Sequence, residues 1–295
     1  METFSHDGLT FAVRDTAVCA DSRRASGSAA DGVGAPDGEP VVLLHGFPQT
    51  SLAWSAVTER LVRAGRRCLA PDLRGYSPGA RPSGRTAYRL DVMTGDVLAL
   101  LDAAGLDRAH VVGHDWGGGL AWAVATAHPE RVARLTVLST PHPAAMGWAM
   151  RHGTQRLKSW YMAAFQLPML PEALLGPALR RFGMRGLGLA PEHERAYVAT
   201  LTEPGALTGA INWYRALATS APDGVEPLPR RRISVPTTYV WGRRDAYLGR
   251  AAAEKTEEFI DAAYRFIELD ADHWLPEKHP DEVADAILQP LGDAS

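Results

Sequence analysis

Ala109-His110-Val111-Val112-Gly113-His114-Asp115-Trp116-Gly117-Gly118-Gly119 runs from a short apolar stretch through a Gly-x-Asp-x-Gly turn into a run of small residues. That order, strand then sharp turn then helix, is the layout of a nucleophile elbow. Gly113 and Gly117 let the chain turn tightly. With serine at the centre the elbow would predict an esterase or lipase. Here the centre is Asp115. A carboxylate is ionised at neutral pH without help, so it can attack a carbon directly and leave an ester on the protein. Asp ahead of a helix is also a common N-cap. The elbow reading therefore depends on partners elsewhere in the chain.

Outward from the elbow, short apolar strands alternate with amphipathic helices. Strands are expected at Val41–Leu44, Cys68–Ala70, His110–Val112, Leu135–Ser139, Thr237–Trp241 and Tyr264–Leu269. Helices are expected at Ser51–Ala64, Leu90–Ala104, Gly118–His128, Ala251–Ile260 and Pro280–Leu288. The alternation argues for an α/β fold, a mostly parallel sheet with helices on both faces. Glu2–His6 and Leu9–Val18 read as a hairpin turning at Asp7-Gly8. Ala20 to Pro40, rich in Ala, Gly, Ser and Asp, reads as a flexible surface loop. Between Ala144 and Pro229 the alternation stops, and Met, Leu, aromatics and Pro recur with helical spacing. This predicts a helical lid over 144–229, inserted between core segments 1–143 and 230–295. Leu167–Pro177 and Ser220–Pro229 read as hinges or corners within it.

In such a sheet, chemistry gathers at the carboxyl ends of the strands. His45-Gly46-Phe47-Pro48 follows Val41–Leu44. A loop at this position supplies one backbone N–H of an oxyanion hole and the residue after the nucleophile supplies the other. The donors are then Phe47 and Trp116. Pro48 is a candidate for a cis bond. Val240-Trp241-Gly242-Arg243-Arg244-Asp245 places an acid beyond one strand, and Asp272-His273-Trp274 a base beyond the last. The order Asp115, Asp245, His273 is nucleophile, acid, base, the chain order of α/β-hydrolases. Asp245 would orient His273 through Nδ1, leaving Nε2 to activate a water. The competing acid position, Thr140-Pro141-His142-Pro143, holds no carboxylate, and Asp270 and Asp272 read as turn residues.

Together, His45-Gly46-Phe47-Pro48, Gly113-His114-Asp115-Trp116-Gly117-Gly118, Trp241-Gly242-Arg243-Arg244-Asp245 and His273-Trp274 resemble the α/β-hydrolase-fold epoxide hydrolases of the soluble type. The resemblance covers residues 41 to 290. It implies hydrolysis of an epoxide to a vicinal diol through an aspartyl ester, with no metal or organic cofactor. It also implies two lid tyrosines on the epoxide oxygen, matched by local context to Tyr161 and Tyr214. A phenol with a pKa near 10 can protonate the alkoxide of an opening ring. Catalytic Asp115, Asp245, His273, Tyr161 and Tyr214 are thus joined by Phe47 and Trp116 in the oxyanion hole. Phe47, Trp116 and the two tyrosines also bind substrate.

The alternative is a haloalkane dehalogenase, similar in nucleophile, acid, base and Trp116. It needs halide-binding N–H groups, for which Trp148, Trp160 or Trp213 could serve, whereas position 47 is Phe rather than Asn. A ligand-binding relic without turnover has no need for an intact Asp-Asp-His set.

Composition sets the outer bounds. The 295 residues have a net charge of -3 and are 46% hydrophobic, with a pI near 6.4. Nothing in this balance attracts nucleic acid or an anionic membrane. No run of about 18 apolar residues spans a bilayer, and the N-terminus lacks a signal peptide's basic head and apolar stretch. A cytoplasmic protein is expected, as monomer or homodimer, without a disulfide between Cys19 and Cys68. Met146, Met150, Met162, Phe165, Leu167, Met169 and Leu170 make the lid apolar. They suggest a hydrophobic epoxide as the small-molecule partner, or else lid packing.

Overall fold

The computed structural model of the chain describes residues 1–17, 38–219 and 231–291. Its strands are β1 (Thr3–His6), β2 (Leu9–Asp15), β3 (Val41–Leu44), β4 (Cys68–Pro71), β5 (Ala109–His114), β6 (Val132–Leu138), β7 (Thr237–Gly242) and β8 (Tyr264–Leu269). They form one sheet in the order β1-β2-β4-β3-β5-β6-β7-β8. β1 and β2 form an antiparallel hairpin through Asp7 and Gly8, both at positive φ, as a two-residue turn demands. β2 meets β4 antiparallel, and every pairing from β4 through β8 is parallel. Every residue of β3 and β5 is buried, which is why these strands read as unbroken apolar runs.

Helix Ser55–Arg63 packs beside Pro280–Leu288, and Leu90–Ala103 beside Trp116–Ala127. The sequence reading differs in detail at two helices. Ser51–Trp54 forms a 3-10 turn capped by Thr50, before the α-helix proper begins at Ser55. Arg250–Lys255 likewise gives way to a 3-10 turn over Thr256–Phe259.

Between β6 and β7 the described residues contain helices and no strand: Pro143–His152, Gln155–Lys158, Trp160–Phe165, Leu170–Phe182, Pro191–Leu201 and Ala206–Ala216. The expected corner at Leu167–Pro177 is shorter than the sequence implied. Met169 takes the turn at φ 59°, and a helix begins at Leu170 with Pro171 in its first turn and Pro177 within it. Proline suits a first turn because its missing N–H has no helical partner there. The Ser220–Pro229 passage, Cys19 and nearly all of the Ala20–Pro40 loop lie outside the described residues, while Cys68 is buried in β4.

Two buried polar clusters hold this helical block. Arg74 grips Asp96 with two nitrogens at 2.8 and 2.6 Å, and the Arg74 carbonyl accepts the Trp213 indole N–H at 2.8 Å. Arg215 pairs with Glu172 at 2.6 and 2.9 Å and donates to the Phe165 and Leu167 carbonyls. A buried guanidinium with every edge occupied fixes the helices that meet on it.

Candidate active site

Asp115 sits at φ 50° and ψ −120°, a backbone conformation that side-chain-bearing residues rarely adopt. The glycines around it explain how the chain reaches that geometry. A Cβ on Gly113 would lie 2.2 Å from the Gly117 carbonyl oxygen, and one on Gly117 would lie 2.1 Å from that of Leu44. Only glycine fits, so strand, turn and helix are pressed together and the carboxylate is thrown clear at the end of β5. The Asp115 carbonyl accepts from the Gly119 N–H at 3.0 Å and the Thr140 hydroxyl at 2.6 Å.

The carboxylate is held asymmetrically. Phe47 N–H donates to Oδ1 at 2.8 Å, while Oδ2 faces His273 Nε2 at 3.6 Å. The second distance is that of an ion pair, too long for a good hydrogen bond. Trp116 opens the helix, so its amide belongs to the first turn, whose N–H groups have no intrahelical partner. The Phe47-Pro48 bond is cis.

His273 Nδ1 lies 2.7 Å from Asp245 Oδ2, and both side chains are buried. The other Asp245 oxygen accepts the Tyr247 and Leu248 amides at 2.7 and 2.9 Å. Burial disfavours the His273 cation, but Asp245 and Asp115 outweigh it and raise its pKa to about 10. Burial pushes the Asp115 carboxyl up as well, and His273, His114 and the Phe47 amide reverse this, leaving it below the usual carboxylate range. Asp245 follows the same pattern through His273 and its two amides. The resting site is a carboxylate–imidazolium–carboxylate set.

Tyr161 and Tyr214 come from separate helices and meet with ring centres 6.0 Å apart. The Tyr214 ring also lies 5.6 Å from Phe47 and 4.9 Å from Trp116, so the phenols and the expected oxyanion loop share one wall. Burial and the Asp115 charge both raise the pKa of the two phenols, keeping them protonated. Such phenols are donors. Of the three tryptophans that might have held a halide, two are engaged elsewhere and the third stands in solvent. Trp213 donates to Arg74, Trp160 is 70% exposed, and Trp148 stacks on His152 beneath Lys255.

Several residues at the site were not singled out by the sequence. Tyr247, two positions past Asp245, packs its ring 4.9 Å from His273 and 6.1 Å from Tyr161. Gln49 accepts the Gly46 N–H at 3.0 Å through Oε1, which also lies 2.8 Å from His114 Nδ1, and donates to Glu277 at 2.7 Å. The other His114 nitrogen lies 2.8 Å from the His273 carbonyl. Glu277 is reached from the helical block by the Tyr197 hydroxyl at 3.0 Å. Their only sequence signal is adjacency to a motif: Gln49 follows Pro48, His114 precedes Asp115, and Glu277 lies four residues past His273. Asp270 and Asp272 serve as expected for turn residues, pairing with Arg243 and Arg244 and with Lys278.

A family described as the alpha/beta hydrolase fold matches residues 39–167. An AB hydrolase superfamily protein of Bacillus subtilis is 36% identical, over 88% of this chain and 92% of its own length. Epoxide hydrolase A of Mycobacterium tuberculosis is 33% identical, over 87% of this chain and 91% of its own. A solved structure described as a novel epoxide hydrolase from metagenomes of hot environments is similar with a TM-score of 0.78 at 28% identity. It covers 97% of this chain and 96% of its own.

Proposed function

Because this chain belongs to the epoxide hydrolases of the α/β-hydrolase fold, we propose that it opens epoxides to vicinal diols with Asp115 as covalent nucleophile. The helices between β6 and β7, Pro143–His152 to Ala206–Ala216, act as the lid. Oδ2 of Asp115, free of the Phe47 amide, attacks a ring carbon while Tyr161 and Tyr214 donate to the ring oxygen. The C–O bond breaks, one phenol supplies the proton, and the substrate is left as an ester on Asp115.

Ester formation then changes the base. Once alkylated, Asp115 carries no charge, and His273 loses one of the two carboxylates that hold its pKa near 10. The imidazolium's proton returns to the phenol that gave one up, and the neutral ring becomes able to deprotonate a water, with Asp245 still fixing Nδ1. Water adds to the ester carbon, and negative charge collects on Oδ1, which the Phe47 amide and, in this reading, the Trp116 amide stabilise. Collapse releases the diol carrying Oδ2, and the water oxygen stays in the carboxylate.

The observation that carries the epoxide over the halide is the phenol pair beside Asp115, with Trp213 and Trp148 engaged elsewhere and Trp160 exposed to solvent. Within the same proposal the ligand is a small hydrophobic epoxide, no cofactor is recruited, and the enzyme works in the cytoplasm as a monomer or homodimer. No described helix is long and apolar enough to cross a membrane.

The test is a single turnover of styrene oxide in 18O-water with enzyme in excess, beside a chloroalkane control. We expect unlabelled diol, label in the Asp115 carboxylate and no chloride. Labelled diol in that first turnover would mean direct attack by water. Chloride without diol would mean the dehalogenase.

A further inference from the structure

Of the seven lid side chains that made the lid look apolar, Leu167, Met169 and Leu170 face outward, with Met169 80% exposed. They begin a strip. Leu170 and Leu174 lie one helical turn apart on helix Leu170–Phe182, and Phe182, also exposed, ends the helix about two turns further on. Arg180, Arg181 and Arg185 close its far end: Arg180 donates to the Thr202 carbonyl at 3.2 Å and the Arg181 guanidinium lies 5.4 Å over the Phe182 ring, and no carboxylate pairs with any of the three among the described residues. The one acid of this helix, Glu172, is already held by Arg215. A helix showing solvent a row of large apolar side chains and unpaired arginines is inverted relative to an ordinary surface helix.

The contrast with the rest of the molecule says what covers it. All the large hydrophobic side chains that stand exposed among the described residues, from Leu157 to Leu217, belong to the lid. A second copy docking head to tail would bring this strip against a core with no exposed apolar counterpart. Docking lid to lid about a two-fold axis would set each copy's arginine cluster against the other's apolar Leu167–Leu170 end, where the one acid of the helix, Glu172, is already held by Arg215. Residues 144–219 carry more Lys and Arg than Asp and Glu, although the whole chain is at -3. Apolar side chains flanked by unpaired cations match an anionic lipid interface, where acyl chains receive the one and headgroups the other.

We propose that helix Leu170–Phe182 and the Leu167–Met169 turn before it dock the enzyme on an anionic lipid surface. The strip lies in the plane of the interface, with Met169, Leu174 and Phe182 in the acyl boundary. This goes beyond the chemistry of the catalytic site and stands independently of it.

The experiment is cosedimentation of the full chain with vesicles of phosphatidylglycerol and phosphatidylcholine, against vesicles of phosphatidylcholine alone. Binding is expected to the first, to weaken as salt is raised, and to be slight to the second. Replacing all three arginines (R180Q, R181Q, R185Q) should weaken it roughly a hundredfold, at about fivefold per charge. The apolar variant (M169S, L174S, F182S) should weaken it even on fully anionic vesicles, with diol formation in free solution retained by both variants as evidence of folding. No uptake by the unmodified protein overturns the proposal, as does uptake that neither variant alters. So does a dimer in sedimentation velocity that the apolar variant breaks, since the strip would then be an interface between copies.

Discussion

The strand ends and the lid contribute to one site by opposite means. Asp115, Asp245 and His273 follow β5, β7 and β8, one, three and four residues past the strand ends. Their side chains are fixed by amides and by one another, as with Phe47 on Oδ1 and Leu248 on Asp245. Tyr161 and Tyr214 instead hang from two helices held by side-chain clusters, Trp213 on Arg74 and Arg215 on Glu172. In the proposed reaction the backbone-held half carries the covalent steps. The side-chain-held half would select what is admitted, and its geometry can be altered without touching the sheet.

Removing the base tests the first half most severely. His273→Gln keeps the shape but not the proton acceptor, so diol turnover should fall about 10²–10⁴-fold. Ester formation should survive, so intact-mass spectrometry after one substrate addition should find protein heavier by one substrate. Absence of that adduct would place His273 in the first step and break the division of labour. Lid variants should do less, because two phenols share one oxygen. Tyr214→Phe and Tyr161→Phe should each cost roughly 10–100-fold in kcat/KM, within the usual range for a general acid. The double variant should lose far more, and a double variant as active as either single one would remove the phenols from the chemistry.

The subtlest consequence is in pH. Attack needs an ionised Asp115, whose pKa is held below the usual carboxylate value, so kcat/KM should persist to low pH. Ester hydrolysis needs neutral His273, so the acid limb of kcat should lie at higher pH than that of kcat/KM. Coincident limbs would show that His273 does not change state between the steps. Stability follows the same ions. The His273 contribution is complete below about 6.5 and lost as pH rises through about 10, whereas the carboxylates contribute above 3.8 and lose this as pH falls.

The strand-end half was the more legible in sequence for the same physical reason. A buried parallel strand must be an apolar run and an elbow must have glycine where backbones touch, so β3, β5 and the turn at Asp115 are written in residue type. Val41–Leu44 and Tyr264–Leu269 begin and end where expected. Tyr161 and Tyr214 needed a family resemblance, because an aromatic on a lid helix has the same local context whether it lines a site or fills a core. Gln49, His114, Glu277 and Tyr247 act through contacts between distant segments, such as Gln49 with Glu277, which no local pattern encodes. Leu167, Met169 and Leu170 show the converse, apolar by type yet turned to solvent.

Asp115 holds its carboxylate in place by standing at φ 50°. A residue with a side chain in that region carries strain of about 1–3 kcal/mol, and a buried carboxylate adds to it whenever His273 cannot balance the charge. Selection for a more stable fold and selection for turnover therefore pull in opposite directions at this one position. Glycine there would relax the backbone and empty the site. The elbow is thus a place where stability is permanently surrendered, and the glycines and hydrogen bonds around it are what keep that loss small enough for the fold to bear.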